Sequence, residues 1–372
     1  MSIVTDNPRP AEAFPVGEYL SDELRDRGWA VVEFAEILGR PVSAVSEILN
    51  GHKEITPTTA KEIAAATGTS AETWLRLQDT YRLWKLSQSL PDQKLGDVAR
   101  RARLASMVPF RELCKRGEIP ERDLDAQERA VCQLLGIPSL DVTPGWALAA
   151  RRSESDAPLS PPQMAWLGCV RSRAASLTPA PYDPPGLELL GAQLAATVLE
   201  PEDLLGLPTR FDEVGVRFVH VDKFDASKID GAAFFDDRGP VIGLSGRIAK
   251  LDSILFTVLH EIAHIHLGHV HKHAALDIDL AGIATSARER EADRTAARWA
   301  LPKRLKIKEP ISRASVISCA ESIGVHPALV VGRLHHDGVL PWSHLNGLVP
   351  GVRSQLEAWL EEQVQHRSEI SG

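Results

Sequence analysis

Apolar residues recur at helical spacing along most of this chain. Through residues 16–90 they fall into five short runs separated by tight breaks. Leu20 and Leu24 mark the first run; Phe34, Ala35 and Leu38 mark a second that stops at Gly39. Val45, Ile48 and Leu49 mark a third that stops at Gly51. A fourth opens at Thr56-Pro57, and a fifth, from Ser70, carries Trp74, Leu75, Leu77, Tyr81 and Trp84. Three- and four-residue spacing predicts amphipathic helices. Gly39 suits a left-handed C-cap, and Thr56 with Pro57 suits an N-cap and first turn. A helix, a Gly-containing turn and a short helix over 42–50 form a helix-turn-helix arrangement, whose second member enters the DNA major groove.

Helical patterning continues over 96–107, 125–135 and 163–176, interrupted by stretches rich in Ser, Pro and charge at 151–162 and in Pro at 178–186. These interruptions read as loops, and the region 91–205 reads as a helical connector with Trp146 and Trp166 in its core. Arg100, Arg101 and Arg103 form a solvated face. The pattern changes at 214–221, where Val216, Phe218, Val219 and Val221 predict a strand. The apolar runs 232–235 and 241–244 flank Asp236-Asp237-Arg238-Gly239-Pro240, which predicts a hairpin with a loop of several residues.

Immediately after this small sheet, the apolar run from Phe256 contains His260-Glu261-Ile262-Ala263-His264. At about 100° per residue, His260 and His264 stand one turn apart on one side of a helix, so both imidazoles can reach one metal. Glu261 lies beside them, placed to take a proton from water rather than to bind the ion. Ile254, Val258, Ile262 and Ile265 give the segment an apolar face opposite the histidines. Strands followed by such a helix are the order of a zincin-like domain. A catalytic zinc needs a third protein ligand and an open position. Candidates downstream are Asp277, Asp279, Glu289, Glu291 and Asp293, together with His266, His269, His271 and His273. Residues 286–300 predict a helix with Ala292, Ala296, Trp299 and Ala300 inward; Glu289 and Glu291 flank that stripe, and periodicity does not choose between them. The later histidines read as solvent-facing groups at a helix C-terminus. Residues 315–323 and 327–335 predict two further helices that pack against the metal domain.

Composition narrows the picture in three ways. The 372 residues carry a net charge of −8, so nucleic-acid contact must come from a local patch. Residues 1–90 themselves hold nine Lys and Arg against thirteen Asp and Glu, a net of −4. Phosphate contact therefore falls to Arg40, Lys53 and Lys61, while Ser43, Ser46 and Asn50 face base edges, Ala44 faces a thymine methyl, and Glu47 shares their helix. Cys114, Cys132, Cys169 and Cys319 are far apart without a Cys-x-x-Cys pair, which argues for a reducing compartment. No apolar run approaches the ~20 residues that span a bilayer, and residues 1–15 lack a signal-peptide core, so a cytoplasmic protein with no membrane partner is expected.

Two resemblances sharpen these expectations. Pro15-Val16-Gly17-Glu18-Tyr19-Leu20, Ser46-Glu47-Ile48-Leu49-Asn50-Gly51, Ile55-Thr56-Pro57 and Trp74-Leu75-Arg76-Leu77-Gln78 with Tyr81 resemble the XRE-type helix-turn-helix of HigA-like antitoxins. That resemblance implies a homodimer on double-stranded operator DNA, often its own promoter. The His260-to-His264 motif, Glu289-Arg290-Glu291-Ala292-Asp293 and Ala300-Leu301-Pro302 are similar to the ImmA/IrrE metallopeptidases over roughly residues 210–303. This second resemblance implies Zn2+ held by His260, His264 and Glu291, with Glu261 as general base.

The expected fold class is α+β, predominantly helical. It comprises a five-helix helix-turn-helix domain over 16–90, a helical connector over 91–205, a zincin-like domain with a small sheet over 206–303, and C-terminal helices over 304–372. The expected function is a cytoplasmic, antitoxin-like DNA-binding regulator in a toxin-antitoxin or stress-response system. It represses its own operon, and its zinc endopeptidase domain binds or cleaves a protein partner, a cognate toxin or a repressor. The alternative is a non-catalytic autorepressor whose metallopeptidase fold serves as a toxin-binding scaffold.

Overall fold

The computed structural model describes residues 12–89, 92–147, 158–270, 277–280, 287–303, 305–307 and 309–371. Contacts divide the chain into two compact units, Met1–Ala99 and Arg100–Gly372. The first holds the five expected helices: α1 (Val16–Asp26), α2 (Val31–Leu38), α3 (Val42–Leu49), α4 (Pro57–Thr67) and α5 (Ala71–Ser89). Leu20, Leu24, Phe34, Val45, Ile48, Ile63 and Trp74 form its core. The Thr56 hydroxyl accepts the Thr59 amide at 3.2 Å and starts α4. Gln78 of α5 is buried and fastens the segment after α3, accepting the Ile55 amide at 2.6 Å and donating to the Ile55 carbonyl at 3.1 Å. A buried amide with both ends satisfied fixes where the chain leaves the helix pair.

Beyond it run α6 (Asp92–Met107), α7 (Phe110–Lys115), α8 (Leu124–Leu135), α9 (Pro161–Ser176), α10 (Pro184–Thr197) and α11 (Leu207–Glu213). The sheet strands are β1 (Arg217–His220), β2 (Ile229–Asp236), β3 (Gly239–Leu244) and β4 (Asp277–Leu280). Four more helices are α12 (Leu251–His266), α13 (Ala287–Ala300), α14 (Arg313–Ile323) and α15 (Pro327–His336), followed by α16 (Arg353–Ser371). Strand order is β1-β3-β2-β4, with β1 parallel to β3 and the other pairs antiparallel.

Both faces of this sheet are covered. Val219, Val221, Ala232, Phe234 and Val241 point to one side, where Trp166 and Val170 of α9 and Leu104, Leu113, Val131 and Leu135 of the preceding helices meet them. Phe218, Ala233, Ile242 and Leu244 point to the other, against Ile254, Val258 and Ile262 of α12. Successive residues alternate between faces, so a sheet covered twice reads as almost continuously apolar.

Three expectations change here. Residues 91–205 do not stand apart as a connector, because α8 and α9 supply half of the covering of the sheet and share one core with it. The C-terminal helices likewise belong to this unit: Val316, Ala320, Leu329, Val330, Leu356 and Trp359 lie in the core around α12. The hairpin is also tighter than expected, since Asp236 pairs with Gly239 and leaves only Asp237 and Arg238 in the turn. Asp236 accepts the Arg238 amide at 2.8 Å and the buried Arg217 guanidinium at 3.0 Å, which closes that turn. Trp146 and Trp166 do pack as core, each donating its indole N–H to a carbonyl, Leu135 at 3.1 Å and Val221 at 2.8 Å. Cys169 and Cys319 are buried and Cys114 and Cys132 half-buried, all four without a disulfide. Among the described residues no single helix is long and apolar enough to cross a membrane.

Candidate metal centre and nucleic-acid interface

Helix α12 buries its histidine side as well as its apolar face: His260, Glu261 and His264 are 3%, 1% and 1% exposed. A helix apolar on most of its circumference is a central one, wrapped by other elements. Here α13 lies along the histidine face and completes the site. The Nε2 atoms of His260 and His264 are 2.9 Å apart, and the Glu289 carboxylate stands 3.1 Å from the first and 3.3 Å from the second. These three side chains form a buried group whose donor atoms all lie within 4.8 Å of one another.

The carboxylate delivered to the histidines is therefore that of Glu289, not Glu291. Glu291 is 53% exposed and turns to the opposite flank of α13. The reason is helical phase. Taking Ala292 as zero, Ala296 and Ala300 fall at about 40° and 80°, Glu289 at about 60° and Glu291 at about −100°. Glu289 thus lies inside the buried stripe, between Ala296 and Ala300. Asp293, one turn after Glu289, places its Oδ1 3.0 Å from His260 Nδ1. A metal would need the Nε2 lone pair of each imidazole, with the proton of the neutral ring on Nδ1.

His264 is backed as well, by a residue that the reading of the later histidines as solvent-facing missed. The helix closes at Gly268, whose φ of 70° is in the left-handed region. The Gly268 amide donates to the Ile265 carbonyl at 3.1 Å and the His269 amide to that of His264 at 3.0 Å. This C-terminal turn doubles the chain back. His269 is consequently buried, its Nδ1 3.3 Å from His264 Nδ1 and its Nε2 3.4 Å from Glu291 Oε2. Glu291 thus touches the site through His269. The sequence signal was a glycine two residues past the helix end with a histidine after it. His266 does point away, its ring 5.5 Å from that of Trp299. His271 and His273 lie outside the described residues, as do the side chains of Asp277 and Asp279.

Glu261 projects toward β2. A Cβ on Gly231 would stand 2.5 Å from Glu261 Oε1 and 2.8 Å from Thr257 Cγ2, so only glycine lets the strand pass this close to the carboxylate. Two imidazoles whose Nε2 atoms converge and one carboxylate make the N2O donor set of a catalytic zinc. Two ligands about 2.0–2.1 Å from a tetrahedral ion stand about 3.3 Å apart, close to the separations above, so the residues fit that metal.

In the other unit, α3 presents Ser43, Glu47 and Asn50 to solvent, with Ala44 and Ser46 half-buried beside them. Two of the three cations assigned to phosphate already face acids. Arg40 Nε is 2.6 Å from Glu62 Oε2, and the Lys53 ammonium is 3.9 Å from Glu47. Exposed pairs of this kind contribute about 0–1 kcal/mol, so exchanging the acid for a phosphate costs little.

The Helix-turn-helix family profile matches residues 22–74, and the Peptidase U49 profile matches residues 248–325, which contain α12, α13 and α14. The chain is 28% identical over 103 residues to the uncharacterised HTH-type transcriptional regulator YddM of Escherichia coli (strain K12), a match covering 28% of this chain and 97% of that protein. It is 34% identical to an addiction module antidote protein of the HigA family from Coxiella burnetii, over 21% of this chain and 86% of that one, with a TM-score of 0.21.

Proposed function

Because the chain joins a HigA-like, XRE-type helix-turn-helix module to a Peptidase U49 domain of the ImmA/IrrE type, we propose that it is a cytoplasmic regulator that represses its own operon and hydrolyses a protein partner. The observation that carries the peptidase half is the buried His260–His264–Glu289 group with Glu261 beside it. His260, His264 and Glu289 would hold Zn2+. When bound, zinc polarises a peptide carbonyl and acidifies water. Glu261 accepts the proton of the attacking water and returns it to the departing amine. Asp293 beside His260 and the His269–Glu291 pair beside His264 would orient the two imidazoles. Closure of the site by α13 and the sheet excludes bulk water, which strengthens each of these interactions.

The DNA half acts as a homodimer on double-stranded operator DNA, reading bases with Ser43, Ala44, Ser46, Glu47 and Asn50 and binding phosphate with Arg40 and Lys53. The protein partner is the cognate toxin of a toxin-antitoxin pair or a repressor of a stress response. The test combines the product of the adjacent gene with the purified chain, comparing wild type with Glu261→Gln and His260→Ala. Stoichiometric zinc in wild type and Glu261→Gln, its loss in His260→Ala, and partner cleavage by wild type alone are expected. A metal-free wild type that still binds the partner and represses its promoter would establish the scaffold reading instead.

A further inference from the structure

A cavity of about 470 Å³ opens beside the metal centre, within the range of about 300–1,000 Å³ typical of ligand pockets. It is walled by the end of β3, the first turns of α12, the middle of α13, and α15. Three of its lining residues border the reactive group. Asp293 Oδ1 stands 3.0 Å from His260 Nδ1; Thr257 lies one turn before Glu261 and faces the same point of Gly231; and Asp230 adjoins Gly231, over which the Glu261 carboxylate rests. The cavity is thus the room next to the position a scissile bond would take.

Its chemistry is mainly apolar. Leu244, Ile254, Phe256, Ala297, Leu301 and Leu329 form the wall, and Trp342, 69% exposed, stands at the mouth. An indole left in solvent at the rim of an apolar recess is what an interaction site presents. Several of the charges in the wall already have partners. Asp230 takes two bonds from Arg247, at 2.7 and 2.6 Å, and Arg333 is tied to Asp337 at 2.8 Å. Burial holds the Asp252 carboxyl above its ordinary pKa, so its charge is disfavoured there.

Resting on the peptidase reading above, we infer that this cavity is the specificity pocket for the substrate, and that it receives a large apolar side chain, leucine-like or aromatic, adjacent to the cleaved bond. Cleavage would therefore fall in segments that are apolar and become accessible in the partner protein, and not at its lysine- or arginine-rich surface.

The test uses the full chain loaded with zinc, its metal content measured in parallel. Calorimetry compares acetohydroxamate with hydroxamates that carry a leucyl, a phenylalanyl or a lysyl side chain. The apolar side chains should tighten binding roughly tenfold or more over acetohydroxamate, as burial in a hydrophobic pocket does. Ala297→Trp, which fills the cavity, should abolish that gain while zinc content and acetohydroxamate affinity stay the same. Trp342→Ala, at an exposed position where folding is not at stake, should reduce the gain. Equal affinity for all side chains, or preference for the lysyl compound, overturns the pocket assignment while leaving the metal site standing. A wild type that takes up no zinc overturns both.

Discussion

Replacing Glu289 and Glu291 separately by Gln tests the site where geometry and family resemblance part. Glu289→Gln keeps volume and hydrogen-bonding capacity, so the buried stripe of α13 is preserved and only the charge 3.1 and 3.3 Å from the two histidines is lost. One unit charge at about 4 Å is worth about 4 kcal/mol at an effective dielectric constant of 20. Against a divalent ion the removal of this carboxylate should therefore weaken zinc binding on the order of 1,000-fold or more. Glu291→Gln removes a half-exposed carboxylate that reaches the metal only through His269, and should cost at most about 10-fold. The assay is competition against a chromophoric chelator, with bound metal counted by mass spectrometry and folding followed by circular dichroism. A Glu289→Gln protein with wild-type zinc affinity, beside a Glu291→Gln protein that has lost its metal, would refute the placement of α13 and restore the ligand set implied by resemblance.

Three further outcomes are expected. His269→Ala removes the partner of His264 Nδ1 and should lower zinc affinity about 10- to 100-fold with the fold intact, measured in the same competition assay; no change would show that the His264 ring is held by its metal alone. Gly231→Ala drives a methyl into Glu261 and Thr257, so hydrolysis should fall by at least about 100-fold, as loss of a general base does, while metal content is retained; undiminished turnover would mean that Glu261 is not confined over β2. His220 gives a pH dependence. It is buried with Nδ1 2.9 Å from the Leu244 carbonyl, and burial lowers its pKa from 6.5 to about 4. The unfolded chain then binds a proton that the folded chain refuses, so this group's stabilising effect, complete above about pH 6.5, is lost as pH falls toward 4. The loss is on the order of 3 kcal/mol. His220→Gln should flatten the decline in denaturation midpoint between pH 6.5 and 4, and an unaltered slope would assign that decline elsewhere.

What the sequence determined alone is local and periodic. Leu20, Phe34, Val45, Ile48 and Trp74 mark four helices through three- and four-residue spacing, Thr56-Pro57 opens a fifth, and these signals with Gly39 set boundaries that the structure keeps within a residue. The spacing of His260 and His264 likewise puts two imidazoles on one face whatever surrounds them, because one helical turn fixes their separation. The stripe of Ala292, Ala296 and Ala300 also contains the phase of Glu289, so that residue lies inside it rather than flanking it and helical phase does separate the two glutamates, a correction to the expectation that periodicity leaves them equal; resemblance pointed to Glu291 instead.

Tertiary structure alone decided the remainder. Nothing in the strand of Gly231 signals that it must pass over a carboxylate thirty residues later, and nothing in α9 signals that it covers the sheet from behind. His269 could not be placed without the turn at Gly268, and Asp293 acquired a role only when α13 docked along α12. The pocket beside the metal is assembled from β3, α12, α13, α15 and Trp342, segments that share no local pattern. Periodicity states which face of a segment is buried, because that is a property of one helix or strand. Which buried faces meet is settled by packing between segments distant in the chain, and the chemistry of this protein is located at those meetings.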